Sequence, residues 1–274
     1  ASDMTSGSPR PTGVRPAEDE SYGDTVRRLA AAQKSGRGAP AYSRFVNRKL
    51  GRLFAAAGFH LGLTPNGITV VSAAFSFSGL VLLAAMRPSW WLGFAVTALL
   101  VLGYALDAAD GQLARLRGGG SVTGEWLDHM VDCLKISTLH MCVLISWYRF
   151  LVTDPRTADP IDERWLLVPM GYAVVAAVSF FAQILNEQLV RNAGLRSASP
   201  TSAASADAGT PSVLVSLLKV PTDYGLLCLT FLLLGASELF VGAYTLMFIG
   251  SAAYLMAASV KWFGQMKGLD RGAS

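Results

Sequence analysis

Four aspartates in the middle of the chain are spaced to act together. Asp107 and Asp110 lie three residues apart, Asp128 and Asp132 four apart, and Arg115, Arg117 and three successive glycines separate the pairs. On a helix advancing about 100° per residue, Asp107, Asp110, Gly111, Ala114 and Arg115 share one arc about 140° wide. Gly124, Asp128 and Asp132 recur at i, i+4 and i+8 on the following helix, and Lys135 falls on the same face. A tight turn at Arg117-Gly118-Gly119-Gly120 therefore lets two helices point four carboxylates at one another. Carboxylates so crowded repel and cannot all stay ionised without cations. Divalent ions meet that need, and an all-oxygen ligand set selects hard ions such as Mg²⁺, Mn²⁺ or Ca²⁺ over zinc. Two such ions clamp a diphosphate and stabilise an in-line displacement at phosphorus. Gly111, Ala114 and Gly124 leave room beside them for a ligand, and Arg115 offers a forked donor to phosphate oxygens.

The elements that must hold this cluster lie in a membrane. Of 274 residues, 52% are hydrophobic and only 15% charged, against about 25% charged in an ordinary soluble domain. Six apolar runs of roughly the length that crosses a bilayer are expected, at about 67–86, 91–116, 123–149, 165–188, 222–240 and 242–264. The second and third carry the aspartates and must turn that face to the bundle interior, because acids facing lipid are expensive. Thr64-Pro65 opens the first run as N-cap and first helical residue.

Before it, residues 43–62 form a basic amphipathic helix. Phe45, Leu50, Leu53 and Phe54 recur at helical spacing among Arg44, Arg48, Lys49 and Arg52, which suits an anionic leaflet. Residues 1–42 are rich in Gly, Pro, Ser and charge and read as a disordered tail without a signal peptide. The expected fold is thus an all-α membrane protein. Six transmembrane helices fill a catalytic domain at 63–266, preceded by a cytoplasmic juxtamembrane helix and followed by a tail at 267–274. A flexible Ser/Ala-rich loop interrupts the domain at about 192–212, and an apolar piece from Val213 to Leu218 follows it. With the N-terminus inside, eighteen Lys and Arg fall on the inner segments and four on the outer ones, placing both termini and the aspartates in the cytoplasm. Cys133, Cys142 and Cys228 form no CxxC pair and lie in apolar runs, so neither a disulfide framework nor a zinc ribbon is expected.

From Asp107 to Asp132 the chain reads D-x-x-D-G-x-x-A-R, eight residues, then G-x-x-x-D-x-x-x-D. That segment resembles the signature of the CDP-alcohol phosphotransferases, also called CDP-alcohol phosphatidyltransferases, at every specified position, and the likeness extends over about residues 41–266. The resemblance implies a transferase of phospholipid biosynthesis. Such an enzyme moves a substituted phosphate, often the phosphatidyl group of CDP-diacylglycerol, onto an acceptor hydroxyl and releases CMP. It implies that Asp107, Asp110 and Asp128 are metal ligands, with two Mg²⁺ or Mn²⁺ ions. Asp132 becomes general base close to the same ions, and Gly111, Ala114, Arg115 and Gly124 bind the CDP-alcohol. A bacterial cytoplasmic membrane is the expected location. The expected partners are a CDP-alcohol donor, an alcohol acceptor and membrane lipid, with a homodimer allowed and no nucleic acid.

Outside the signature, Lys135 and Arg191 carry positive charge that favours a phosphorylated polyol as acceptor, while Lys135 equally suits an ion pair with Asp132. Glu125 lies near the face of Asp132 and is placed to orient it. His129, offset about 100° from Asp128, suits packing better than metal binding. A soluble CDP-alcohol donor such as a CDP-aminoalcohol, with a lipid acceptor, is the alternative within the family. An ion transporter would place acids through the depth of several spans, whereas here they gather at one end of two. A lipid phosphatase or prenyltransferase would lack the G-x-x-x-D-x-x-x-D half.

Overall fold

The structure, a computed structural model, describes residues 20–31, 40–157, 159–197 and 220–272. Among them it is all helical. A short helix α1 (Tyr22–Ala31) comes first; one π turn (Ser43–Asn47) then leads into α2 (Arg48–His60). Three long helices follow: α3 (Pro65–Ala85), α4 (Trp90–Leu116) and α5 (Val122–Trp147), the last continued by a π turn to Val152. After the 3₁₀ turn Glu163–Leu166 come α6 (Leu167–Ser197), the short α7 (Tyr224–Thr230) running into a 3₁₀ segment (Phe231–Gly235), and α8 (Ser237–Gly272).

Among the described residues five helices are long and apolar enough to cross a membrane: Pro65–Ala85, Trp90–Leu116, Val122–Val152, Glu163–Gly194 and Ser237–Asp270. The expected fifth run at 222–240 is instead a helix of twelve residues, Tyr224–Gly235. At roughly 1.5–2 Å per residue it reaches about 20 Å, short of the roughly 30 Å of hydrocarbon. It stops where Gly235 packs against the Trp90 ring and Ala236 leaves helical geometry at φ −124°, ψ 83°. The apolar piece 213–218 and the loop from 198 onward lie outside the described residues, as do 1–19 and 32–39 of the tail. The helix α8 continues to Gly272, so most of the expected tail after 266 is helical.

Within the stretch that composition marks as disordered, α1 is a helix docked on α2. Leu29 is 3% exposed against Ala55 and Phe59, the Tyr22 hydroxyl donates to Leu53 O at 3.0 Å, and Arg28 stacks over the Phe59 ring. Ten amphipathic residues suffice for this, and an average over forty-two hides them.

The basic helix is present as α2, and it packs on the protein through small residues rather than its large ones. Gly51, Ala55, Ala56, Gly58 and Phe59 are buried, with Gly51 against Ala108 and Gln112 of α4, while Phe45 and Leu53 are 59% and 45% exposed. Small residues let two backbones approach, which is what lets helices associate where lipid removes the hydrophobic drive. The same device joins α3 to α4: the Ser72 hydroxyl donates to Gly103 O at 2.8 Å, and a side chain at Gly103 would collide with Ser76. Farther from the acid cluster, Leu139, Val143, Trp147, Phe231 and Tyr244 form an almost fully buried core, closed by a 2.5 Å hydrogen bond between His140 Nδ1 and the Tyr244 hydroxyl.

Candidate active site

Two helix ends and one turn build the site. The helix α4 ends at Leu116; Gly118 and Gly119 then take φ values of 98° and 130°, which glycine adopts without steric cost, and the Gly119 N–H closes on Ala114 O at 2.9 Å. Two residues later Ser121 caps α5, its hydroxyl accepting from Gly124 N at 3.0 Å. The reversal takes four residues, so the aspartate faces of α4 and α5 meet directly.

Asp107, Asp128 and Asp132 present one carboxylate oxygen each within 4.8 Å of one another, all three partly buried. Lys135, one turn beyond Asp132, is 5% exposed and holds its ammonium 2.5 Å from Asp107 Oδ1 and 2.8 Å from Asp132 Oδ1. A lysine so deep is tolerated because two anions pair with it. Asp110 stands apart from that trio. It is 7% exposed and turned to α3, where it accepts a 2.5 Å bond from the Thr69 hydroxyl. Of the four carboxylates expected to converge, the structure thus gathers three and anchors the fourth beside them.

A cavity of about 720 Å³ opens next to the cluster between α3, α4 and α5, and Gly111, Ala114, Arg115 and Gly124 all line it with Asp110 and Asp128. Asp110 and Asp128 also line a recess of about 310 Å³, to which the π turn contributes Asn47, α2 contributes Arg48 and α4 contributes Tyr104 and Asp107. The four residues expected at a nucleotide are therefore brought to one wall. An all-oxygen trio beside a roomy cavity fits a hard divalent cation, since such ions take carboxylate and phosphate oxygens together.

Arg191, the second cation expected at the acceptor, lies on α6. It pairs at 3.4 Å with Glu125 across α5 and α6 on an exposed surface, where such pairs are worth about 0–1 kcal/mol. Glu125 is engaged there rather than with Asp132. His129 meets the Phe180 ring edge-on, in keeping with a packing role. Two residues that motif spacing does not single out also shape the site. Thr69 holds Asp110, and Asn66 stands over Gly124, where a Cβ would lie 3.1 Å from Asn66 Oδ1. Both follow Thr64-Pro65 within one and a half turns, so the helix start was the available signal.

The Thr69 contact yields a measurable expectation. Thr69→Val keeps the shape and removes the donor, leaving a carboxylate with one partner fewer, which costs about 1.5–3 kcal/mol. The melting temperature of the purified protein should fall accordingly; an unchanged melting temperature would show that Asp110 does not depend on α3.

The chain is 37% identical over 107 residues to a phosphatidylinositol phosphate synthase of Mycolicibacterium smegmatis, a match that takes in 39% of this chain and 46% of that relative. The match thus spans about half the relative's length. A crystal structure of Mycobacterium tuberculosis phosphatidylinositol phosphate synthase with CDP-DAG bound is similar at 17% identity and a TM-score of 0.48, over 77% of this chain and 90% of that one. The profile of the CDP-alcohol phosphatidyltransferases matches residues 62–260, which hold every helix from α3 to α7 and most of α8. The signature, the helical bundle and this match make the chain an integral membrane enzyme of the CDP-alcohol phosphatidyltransferase family.

Proposed function

We propose that the enzyme transfers the phosphatidyl group of CDP-diacylglycerol to a hydroxyl of a phosphorylated polyol, releasing CMP. The observation that carries this is the convergence of Asp107, Asp128 and Asp132 beside a cavity lined by Gly111, Ala114, Arg115 and Gly124. The relative named phosphatidylinositol phosphate synthase supports a phosphorylated inositol as the acceptor. Asp107, Asp110 and Asp128, with Asp132 as a further ligand close to the same ions, would hold two divalent ions, Mg²⁺ or Mn²⁺. The chemistry such ions supply when bound is neutralisation of the diphosphate and of the leaving phosphate.

The protein's own groups do the rest. Gly111, Ala114 and Gly124 let the cytidine diphosphate lie against backbone, and Arg115 binds its phosphate oxygens. Asp132 takes the proton of the acceptor hydroxyl as that oxygen bonds to the phosphorus bearing diacylglycerol; the bond from this phosphorus to the CMP oxygen breaks and CMP leaves. Lys135 and Arg191 supply positive charge for the acceptor's phosphate. Packed α-helices sequester the reaction, while the water-soluble nucleotide reaches it from one end of the bundle.

For topology we propose six crossings, both termini and the site in the cytoplasm of a bacterial cell, and residues 43–62 lying on the leaflet. The outward Phe45 and Leu53 suit that contact. A cysteine in place of Ser121, in a background lacking Cys133, Cys142 and Cys228, should react with a membrane-impermeant thiol reagent in inverted vesicles alone. Labelling in right-side-out cells would overturn the orientation.

Purified enzyme in lipid with CDP-diacylglycerol and Mg²⁺ or Mn²⁺ should release CMP fastest with inositol phosphate among glycerol 3-phosphate, inositol phosphate, serine and phosphatidylglycerol. EDTA should abolish release and added metal restore it. Release that persists in EDTA would sink the metal assignment, and preference for serine would sink the acceptor class.

Asp132 as base separates from Asp132 as ligand in one comparison. Asp132→Asn should lose at least a thousandfold in single-turnover transfer yet keep CDP-diacylglycerol affinity, whereas Asp107→Asn should weaken that affinity as well. Equal loss of binding in both would leave the four acids as ligands only.

A further inference from the structure

Lys135 is placed where a catalytic cation would be expected. Its ammonium contacts Asp107 at 2.5 Å and Asp132 at 2.8 Å, and those two carboxylates with Asp128 form the trio whose oxygens converge within 4.8 Å. The side chain is 6% exposed, so its charge has no route to water without leaving this position. A divalent ion and an ammonium seek the same carboxylate lone pairs, and two cations sharing them at contact distance repel. One must yield.

We propose that Lys135 is an internal counter-cation that competes with the divalent ion for Asp107 and Asp132, so that metal loading displaces its ammonium from at least one of them. The proposal rests on the metal-binding role assigned above to Asp107 and Asp128. It adds a function for a residue outside the D-x-x-D-G-x-x-A-R and G-x-x-x-D-x-x-x-D pattern. The lysine keeps the acids together when no metal is bound, since buried carboxylates without a positive neighbour would repel or splay apart. It also sets the metal's affinity: every ion bound must overcome an existing pair of buried ion contacts, which weakens binding and keeps it reversible.

The exchange predicts opposite effects on stability and on metal affinity. In neutral detergent, with free Mn²⁺ counted by electron paramagnetic resonance, Lys135→Met should bind Mn²⁺ at least fivefold more tightly than the wild type, and Lys135→Arg, which keeps the charge, should bind it as the wild type does. In EDTA the methionine variant should melt below the wild type, and saturating Mn²⁺ should raise its melting temperature by more than it raises that of the wild type. If the methionine variant does not fold, Lys135→Gln takes its place in both measurements. Equal or weaker Mn²⁺ binding in the neutral variant, or tightening by arginine to the same degree, would overturn the exchange. Failure of the wild type itself to bind Mn²⁺ would instead overturn the metal assignment. Neither readout requires turnover.

Discussion

Negative charge gathered at the end of a membrane hairpin demands a cation, and the rest of this structure is arranged around that demand. Two like charges about 4 Å apart repel by about 4 kcal/mol at an effective dielectric of about 20. Asp107, Asp128 and Asp132 lie at such separations and only partly exposed, so the helix pair that carries them would spread without compensation. Lys135 provides part of it from within α5, and Thr69 relieves Asp110 from α3. The turn at Gly118 and Gly119 can then stay tight, because the helices it joins are held together rather than pushed apart.

That constraint explains why the most informative part of the chain is also the shortest. The facing of Asp107 toward Asp128 and Asp132 is legible from the helical repeat and the glycine turn alone, since both act within one hairpin. The N-cap at Thr64 and the long apolar helices are legible for the same reason: each depends on neighbours within a turn or on the composition of a run. The four residues Gly111, Ala114, Arg115 and Gly124 line one cavity, as their shared faces require.

Contacts across helices distant in sequence are a different matter. No spacing rule pairs Thr69 with Asp110 or places Asn66 over Gly124, because each pair is set by how α3 crosses the hairpin. Arg191 and Glu125 show the same limit, as charge alone could not say that each would meet the other on the surface. Hydropathy does not mark the helix end inside the run at 222–240 because it measures composition, whereas that end at Gly235 depends on the Trp90 ring of α4 lying against it. In α2 the large residues say nothing of the face that meets α4. The helix seats itself through Gly51, Ala55 and Ala56, whose importance lies in their smallness.

The seat of α2 bears on the chemistry as well as the fold. Its inner side lies on α4 one turn from the acids: Gln112 donates to Arg48 O at 3.2 Å, and Asn47 donates to Tyr104 O at 3.1 Å, three residues before Asp107. Asn47 and Arg48 therefore share a recess with Asp107, Asp110 and Asp128, while Phe45 and Leu53 on the same helical segment face outward. One rigid element thus presents apolar side chains to its surroundings and polar ones to the acid cluster. The CDP-diacylglycerol proposed as donor would pose that same division, and the separation across α2 is about one helix diameter, roughly 10 Å. The small-residue contact with α4 fixes the polar side at the depth of the carboxylates. Loosening it would move the membrane-facing side and the recess together.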